Sequence, residues 1–421
     1  MTTNHIGRIV VGSLTAGPVI ALGLVVGPLA GAQEYVITGA TLLAFASSWA
    51  LLAAASMLWT TQPQRWALLP AGFMGIAGAA LLAFAPGDGA IDALGWVWPP
   101  LFLALLAAAV IRVRVALHGR ARARVVYALL AIYALCALGG GYETVRESLD
   151  RRHPAPGQLI DVGGHRLHLS CAGSGSPTVI LESGLGEAGA YWGWISTAVA
   201  HDTRVCVYDR AGRGWSEPAS VPQDGFAVAR DLHVLLDRGH VEAPFVLVGH
   251  SSGAQYVRIF AGRYPEQVAG MVLLDGQPAE VFEALPNYPV IYAVLNRVSA
   301  LLPPLARLGV GRLVSGPDAS ARSARSLRDE VTELPTALAQ ARSFQNLDDR
   351  PLVVVTAARG AMAGWFPLQD AMAKLSTNSL HQVVPFEHAE LVTNEVAART
   401  SSQAIRDVVH AVRFAAPLQK S

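Results

Sequence analysis

Apolar residues dominate the first 150 positions in runs of about twenty, with few charges between them; beyond residue 155 the runs shorten to four to seven and alternate with amphipathic stretches. The two patterns imply two solvents. A helix needs about 20 apolar residues to cross a hydrocarbon core of about 30 Å. Five stretches meet that length, at 9–31, 35–59, 66–85, 94–113 and 125–142, several of them bounded by Trp or Tyr as interfacial anchors. The chain is therefore read as an all-α transmembrane region over 1–150 followed by a second domain over 155–415. The first stretch alone resembles a secretory signal, with Ala30-Gly31-Ala32 at its end, but four further runs follow it.

Orientation follows from the arginines. The connection between the fourth and fifth runs carries Arg112, Arg114, Arg120, Arg122 and Arg124, whereas the one between the third and fourth carries Asp88 and Asp92. The arginine-rich side is expected to be cytoplasmic, together with Arg8 and Arg65, which leaves the second domain extracytoplasmic. Arg146, Arg151 and Arg152 after the last run weigh the other way. The runs themselves hold no ionisable pair of the kind that marks an ion pathway. Gly72, Gly75 and Gly78 are read as allowing close helix packing.

In the second domain a Pro/Gly linker, Pro154 to Gly157, leads into two short strands joined at Gly163-Gly164, a hairpin signal. Strand and helix then alternate: strands at 177–183, 204–208, 245–248 and 268–274, with helices near 190–200, 225–238 and 252–263. Such alternation predicts an α/β fold with a mainly parallel sheet. Residues 276–347, rich in proline and arginine, interrupt the rhythm and are read as an inserted cap. A strand at 351–356, a helix at 367–375, a strand at 381–384 and an amphipathic helix at 394–414 resume it.

The 421 residues carry a net charge of +1, which offers no concentrated basic face for nucleic acid. Cys136, Cys171 and Cys206 are too far apart to spell a metal motif, and no metal or cofactor is expected. The chemical signal is Gly249-His250-Ser251-Ser252-Gly253, a G-x-S-x-G sequence at a strand-to-helix turn. Its glycines allow the sharp turn that lifts the serine oxygen clear of the sheet. A serine needs a histidine to take its proton and a carboxylate to hold that histidine. His388, directly after the last strand, is the expected base; His381 stands at the wrong end of that strand and His410 lies within the final helix. The loop after Thr356 lacks an acid. Asp275, at the end of the preceding strand, is the expected partner, Asp370 is the alternative, and Asp275 could instead be a turn residue with Gly276.

These features resemble the α/β-hydrolase superfamily over 158–414. Tyr208-Asp-Arg-Ala-Gly-Arg-Gly-Trp-Ser216 resembles the segment that follows the family's fourth strand, and Ser183-Gly184-Leu185-Gly186 occupies the place of its His-Gly turn, with Ser183 in the histidine position. The resemblance implies a serine hydrolase whose oxyanion is held by the backbone amides of Leu185 and Ser252, with Asp209 and Arg210 as structural braces. It also implies that Cys171 and Cys206 stand on strands that can be neighbours, either bridged or as two buried thiols. The expected substrate is an acyl ester, small or lipid, received next to a bilayer. An acyltransferase or a non-catalytic sensing module on the same fold remains the alternative. Gly184 to Gly189 also satisfies G-x-G-x-x-G, the dinucleotide fingerprint, but a hairpin precedes it where that fingerprint belongs to a first strand.

Overall fold

The computed structural model describes residues 6–116, 120–316, 319–344 and 346–418, without the side chains of 116 and 120–123. The side chains of Arg120 and Arg122, and residues 317, 318 and 345 of the inserted interval, thus lie outside the described residues. The chain divides into two compact units, one running to His153 and including Val294–Arg328, the other comprising Pro154–Ala293 and the chain from Asp329.

In the first unit the apolar runs form the helices Ile6–Val26, Glu34–Trp59, Leu68–Phe84, Trp98–Ala116 and Arg120–Asp150, with a short helix at Asp88–Leu94. Tyr288–Arg307 is a sixth segment that meets the length and hydropathy of a span among the described residues, against the five expected. One-sided apolarity, broken by Arg297 and Pro303-Pro304, hides it in the sequence. Of the three glycines in the third run, Gly78 makes the close approach: a Cβ there would stand 2.7 Å from the Gly39 carbonyl. At Gly72, apart from the adjoining backbone of its own helix, no described atom lies within 4 Å of that position.

The helices run past the apolar stretches and take up acids at their ends, a feature the uninterrupted runs conceal. Glu34 opens its helix and is buried, as are Glu143 and Glu147 in the last turns of Arg120–Asp150. Their partners come from the inserted segment. Arg307 Nε donates to Glu34 at 2.5 Å, Arg325 Nε to the same carboxylate at 2.8 Å, and Arg312 Nε to Glu143 at 2.6 Å. Asp92 accepts from Arg325 at 2.9 Å and from Arg307 at 3.2 Å. Burial alone would raise the Asp92 pKa, yet the two guanidiniums hold it below its usual range. The interval 276–347, expected to be one cap, is thereby divided: buried charges need partners, and those of 294–328 lie on the N-terminal helices.

The second unit is built on a mixed sheet: β1 (Gln158–Asp161), β2 (Arg166–Ala172), β3 (Thr178–Glu182), β4 (Val205–Tyr208), β5 (Phe245–His250), β6 (Val268–Leu274), β7 (Leu352–Arg359) and β8 (Ser379–Glu387), in the order β1-β2-β4-β3-β5-β6-β7-β8. β1–β2 and β2–β4 are antiparallel pairs and the others, from β4–β3 to β7–β8, are parallel. β3 and β5 are buried at every position, as strands covered on both faces must be. One face packs Leu232, Leu235, Val257 and Phe260, the other Trp192, Ile195, Ile405 and Val408, from helices on opposite sides. Cys171 and Cys206 stand opposite each other on β2 and β4 and are joined by a disulfide.

Candidate active site

Parallel strands deliver their carboxyl ends to one edge of a sheet, the usual place for a site in an open α/β fold. Ser251 follows β5, Asp275 follows β6 and His388 follows β8. Ser251 has φ +53°, a left-handed conformation that a non-glycine residue adopts rarely and at a cost. Its neighbours allow the turn. A Cβ at Gly253 would stand 2.5 Å from the Glu182 carbonyl oxygen, and one at Gly249 would stand 2.8 Å from Ala254 backbone atoms. The Ser251 amide donates to the Leu274 carbonyl at 3.1 Å, and its carbonyl accepts from the Gln277 amide at 2.8 Å, which ties the elbow to the end of β6.

Asp275 also has positive φ, +43°, and is nearly buried. Its Oδ2 lies 2.6 Å from His388 Nδ1, while Oδ1 accepts from Trp365 Nε1 at 2.8 Å and from the Ala357 amide at 3.3 Å. Both carboxylate oxygens are thus fixed, and among the described residues His388 Nε2 has no hydrogen-bond partner. The alternative acid, Asp370, pairs with the other histidine: its Oδ1 lies 2.6 Å from His381 Nδ1, and His381 Nε2 meets Thr356 Oγ1 at 2.7 Å. His388 is brought to the Ser251 elbow by His250, whose ring lies 4.7 Å from its own and whose Nε2 donates to the His388 carbonyl at 3.2 Å.

The Ser183-Gly184-Leu185-Gly186 turn faces the elbow, with Ser251 Cβ 3.0 Å from where a Cβ of Gly184 would be. The amides of Leu185 and Ser252 donate to no other group among the described residues. The turn lacks the family's histidine, and Arg210 does the bracing: its Nη1 donates to the Ser183 carbonyl at 2.6 Å and its Nη2 to that of Gly184 at 2.7 Å. Trp192 Nε1 adds a bond to Ser183 Oγ at 2.9 Å. Arg210 is itself held by Glu182 at 2.5 Å and Glu330 at 3.0 Å. Burial pushes the Glu182 carboxyl up despite Arg210, whereas Glu330, also buried, is held down by Arg210 and Arg213.

Glu187, Glu330 and Trp365 are working parts that sequence reasoning missed. Glu187 accepts from the Gly184 amide at 2.7 Å and from His250 Nδ1 at 3.0 Å, and these bonds outweigh burial to lower its pKa. Its only sequence signal is its place in the glycine turn. Glu330 accepts from the Gly186 amide at 2.9 Å and comes from the inserted interval, where nothing local marks it. These bonds also dispose of the dinucleotide reading. The amides of Gly184, Gly186 and Gly189, which a pyrophosphate would require, are taken by Glu187, Glu330 and Asp209.

Asp209 is a brace, as expected. Its carboxylate accepts from His168 Nδ1 at 2.8 Å, the Gly189 amide at 2.7 Å and the Trp215 amide at 3.1 Å. Burial opposes its charge, but these bonds keep its pKa low; for the same reason the buried His168 is raised by Asp209.

Residues 177–315 match the family described as the α/β hydrolase fold. The chain is similar to an uncharacterized protein of Schizosaccharomyces pombe, 31% identical over 161 residues, which are 31% of this chain and 30% of that protein. It is also similar to an AB hydrolase superfamily protein of Gibberella zeae, 32% identical over 113 residues, 26% of this chain and 35% of that one. Among solved structures, that of wild-type DBJA superposes with a TM-score of 0.50 at 16% identity, covering 61% of this chain and 99% of the other. The chain thus spans about a third of the length of these two curated relatives. The second unit has the α/β-hydrolase fold, in a mixed sheet.

Proposed function

We propose that the protein is a membrane-anchored serine hydrolase that cleaves an acyl ester through a covalent intermediate on Ser251. The observation that carries this reading is the Asp275–His388 pair at 2.6 Å beside an elbow that holds Ser251 at positive φ. His388 takes the Ser251 proton as the oxygen attacks the acyl carbonyl. The oxyanion that forms is held by the amides of Leu185 and Ser252, donors of a type whose removal costs about 10²–10³ in rate. His388 then returns the proton to the leaving alcohol, and water releases the acyl group by the same steps reversed. Asp275 keeps the imidazole in the tautomer that leaves Nε2 toward the serine and balances its charge when protonated.

The helices of the first unit anchor the enzyme, and the bilayer supplies an apolar ester, small or lipid, as substrate. The arginine asymmetry supports an extracytoplasmic hydrolase domain, and so does the Cys171–Cys206 bridge, a bond kept in oxidising compartments. An active-site-directed fluorophosphonate tests the chemistry: the full chain labels and Ser251→Ala does not. Folded wild type that fails to label overturns the enzyme and favours a non-catalytic module. A reporter that works only outside the cytoplasm, fused near residue 155, is active; silence there reverses the orientation.

A further inference from the structure

Residues 288–307 are apolar enough to be a span, but the sheet forbids it. β6 precedes the segment and β7 follows it, and the two are hydrogen-bonded neighbours with Met271 opposite Leu352 and Leu274 opposite Val355. A crossing between them would put β6 and β7 on opposite faces of a membrane. The chain therefore leaves and returns on one face. The helix is also broken, into Tyr288–Ser299 and Leu302–Arg307. At 1.5 Å per residue these pieces reach roughly 18 and 9 Å, short of a core of about 30 Å.

Within the first unit, one side of this segment is buried. Ala300 packs with Val25 and Ile37, and Leu308 and Gly309 approach Gly139 so closely that a Cβ there would meet the Leu308 oxygen at 2.1 Å. Arg307 and Arg325 clamp Glu34 and Asp92, and Arg312 clamps Glu143. Those acids lie in or beside the first connection, in the third connection and near the end of the fifth helix. Five antiparallel spans bring these three places to one face. The ion pairs thus fix the segment at the level where the helices end. Its other side is apolar and open: Val294, Val298 and Leu305 are exposed, and Leu313 and Val314 are each 79% accessible.

We propose that residues 294–316 form an interfacial element that lies in the leaflet at the Glu34 and Asp92 face, with Val294, Val298, Leu305, Leu313 and Val314 among the acyl chains. This rests on the membrane reading given above. The occupant is lipid because the segment is packed and ion-paired onto the spanning helices, which themselves expose apolar side chains such as Ile76 and Leu135. An apolar stripe backed by a charged, ion-paired side is the composition that lies in an interface. The element gives the inserted interval a grip on the membrane independent of the spans.

The test uses the full chain in phosphatidylcholine vesicles whose acyl chains are brominated near the headgroup or near the methyl end. Leu313→Cys and Ile76→Cys are each labelled with a polarity-sensitive fluorophore after Cys136→Ala. The expected result is loss of emission at 313 with the shallow bromines and at 76 with the deep ones. Quenching at 76 with 313 reached by aqueous iodide overturns the proposal and leaves the membrane reading standing. Protection of 313 from both quenchers overturns it in favour of a protein cover, such as a second copy. Deepest quenching at 313 overturns its interfacial depth, and no quenching at 76 sinks the membrane reading first.

Discussion

Two histidine–carboxylate pairs of equal length stand near the ends of β8. Asp275 and His388 are 2.6 Å apart, and so are Asp370 and His381. Their surroundings differ. The Asp275 side chain is 6% exposed and held by Trp365 and the Ala357 amide, while His388 is half open; Asp370 is 63% exposed, and both nitrogens of His381 are engaged, the second by Thr356. A distance does not make a triad member. A buried acid with both oxygens fixed, paired to an imidazole whose other nitrogen has no partner among the described residues, at the carboxyl edge of the sheet, has the requirements of a proton relay. An exposed acid on a fully engaged imidazole contributes little beyond a surface ion pair.

The two pairs differ most when their acids are replaced. Asp275→Asn lowers kcat toward the best ester by about 10⁴, the cost of the wrong tautomer in such triads, while Asp370→Asn leaves turnover within a few-fold. Equal losses erase the distinction drawn between the pairs. A smaller effect is expected at Glu187, which touches the elbow histidine and the Gly184 amide. Glu187→Ala loosens the turn that carries the Leu185 amide and lowers kcat by roughly 10–10² with KM little changed, as removal of an interaction made mainly in the transition state does. Trp365→Phe removes one of the bonds to Asp275 and lowers kcat about fivefold, in line with the net worth of about 1 kcal/mol for a hydrogen bond. A Trp365→Phe enzyme with unchanged kcat shows that the Ala357 amide holds Asp275 unaided.

Another such pair, His168 with Asp209, adds to the contrast because both members are buried and neither is near Ser251 in the sheet. It is expected to act on stability. The folded pKa of Asp209 is depressed, so its contribution is complete above its unfolded pKa of about 4 and is lost as pH falls through the folded value. His168 is raised, so its contribution is complete below about 6.5 and is lost as pH rises through its folded value. The Tm gap between wild type and the His168→Gln, Asp209→Asn double variant is therefore widest between those limits and narrows on either side. A gap that does not change with pH shows that packing rather than charge holds this corner.

The sheet was legible from sequence wherever burial leaves a periodic trace. β3, β5 and β6 read as short apolar runs because both faces are covered, and the elbow followed from glycines at positions where a Cβ collides with backbone. The pairing of Asp275 with His388 was legible by elimination, since the loop after Thr356 offers no acid. What escaped were long-range polar contacts. Glu330 lies 120 residues from Arg210 in a helix whose pattern says only that it is amphipathic. The buried acids at helix ends escaped for a related reason, because Glu34 and Glu143 fall just outside the apolar runs and their arginine partners more than 150 residues away.

The order of the strands has a consequence for synthesis. β8 is the last strand, pairs only with β7 and carries His388 at its end, whereas Ser251 and Asp275 are complete before the inserted interval is made. At about 5–20 residues per second, the ribosome delivers the histidine some 7–30 s after the serine. Throughout that interval the nascent chain carries the proposed nucleophile, Ser251, without the proposed base. Under the proposed mechanism, competence to cleave is acquired last, when β8 is laid down at the edge of the sheet.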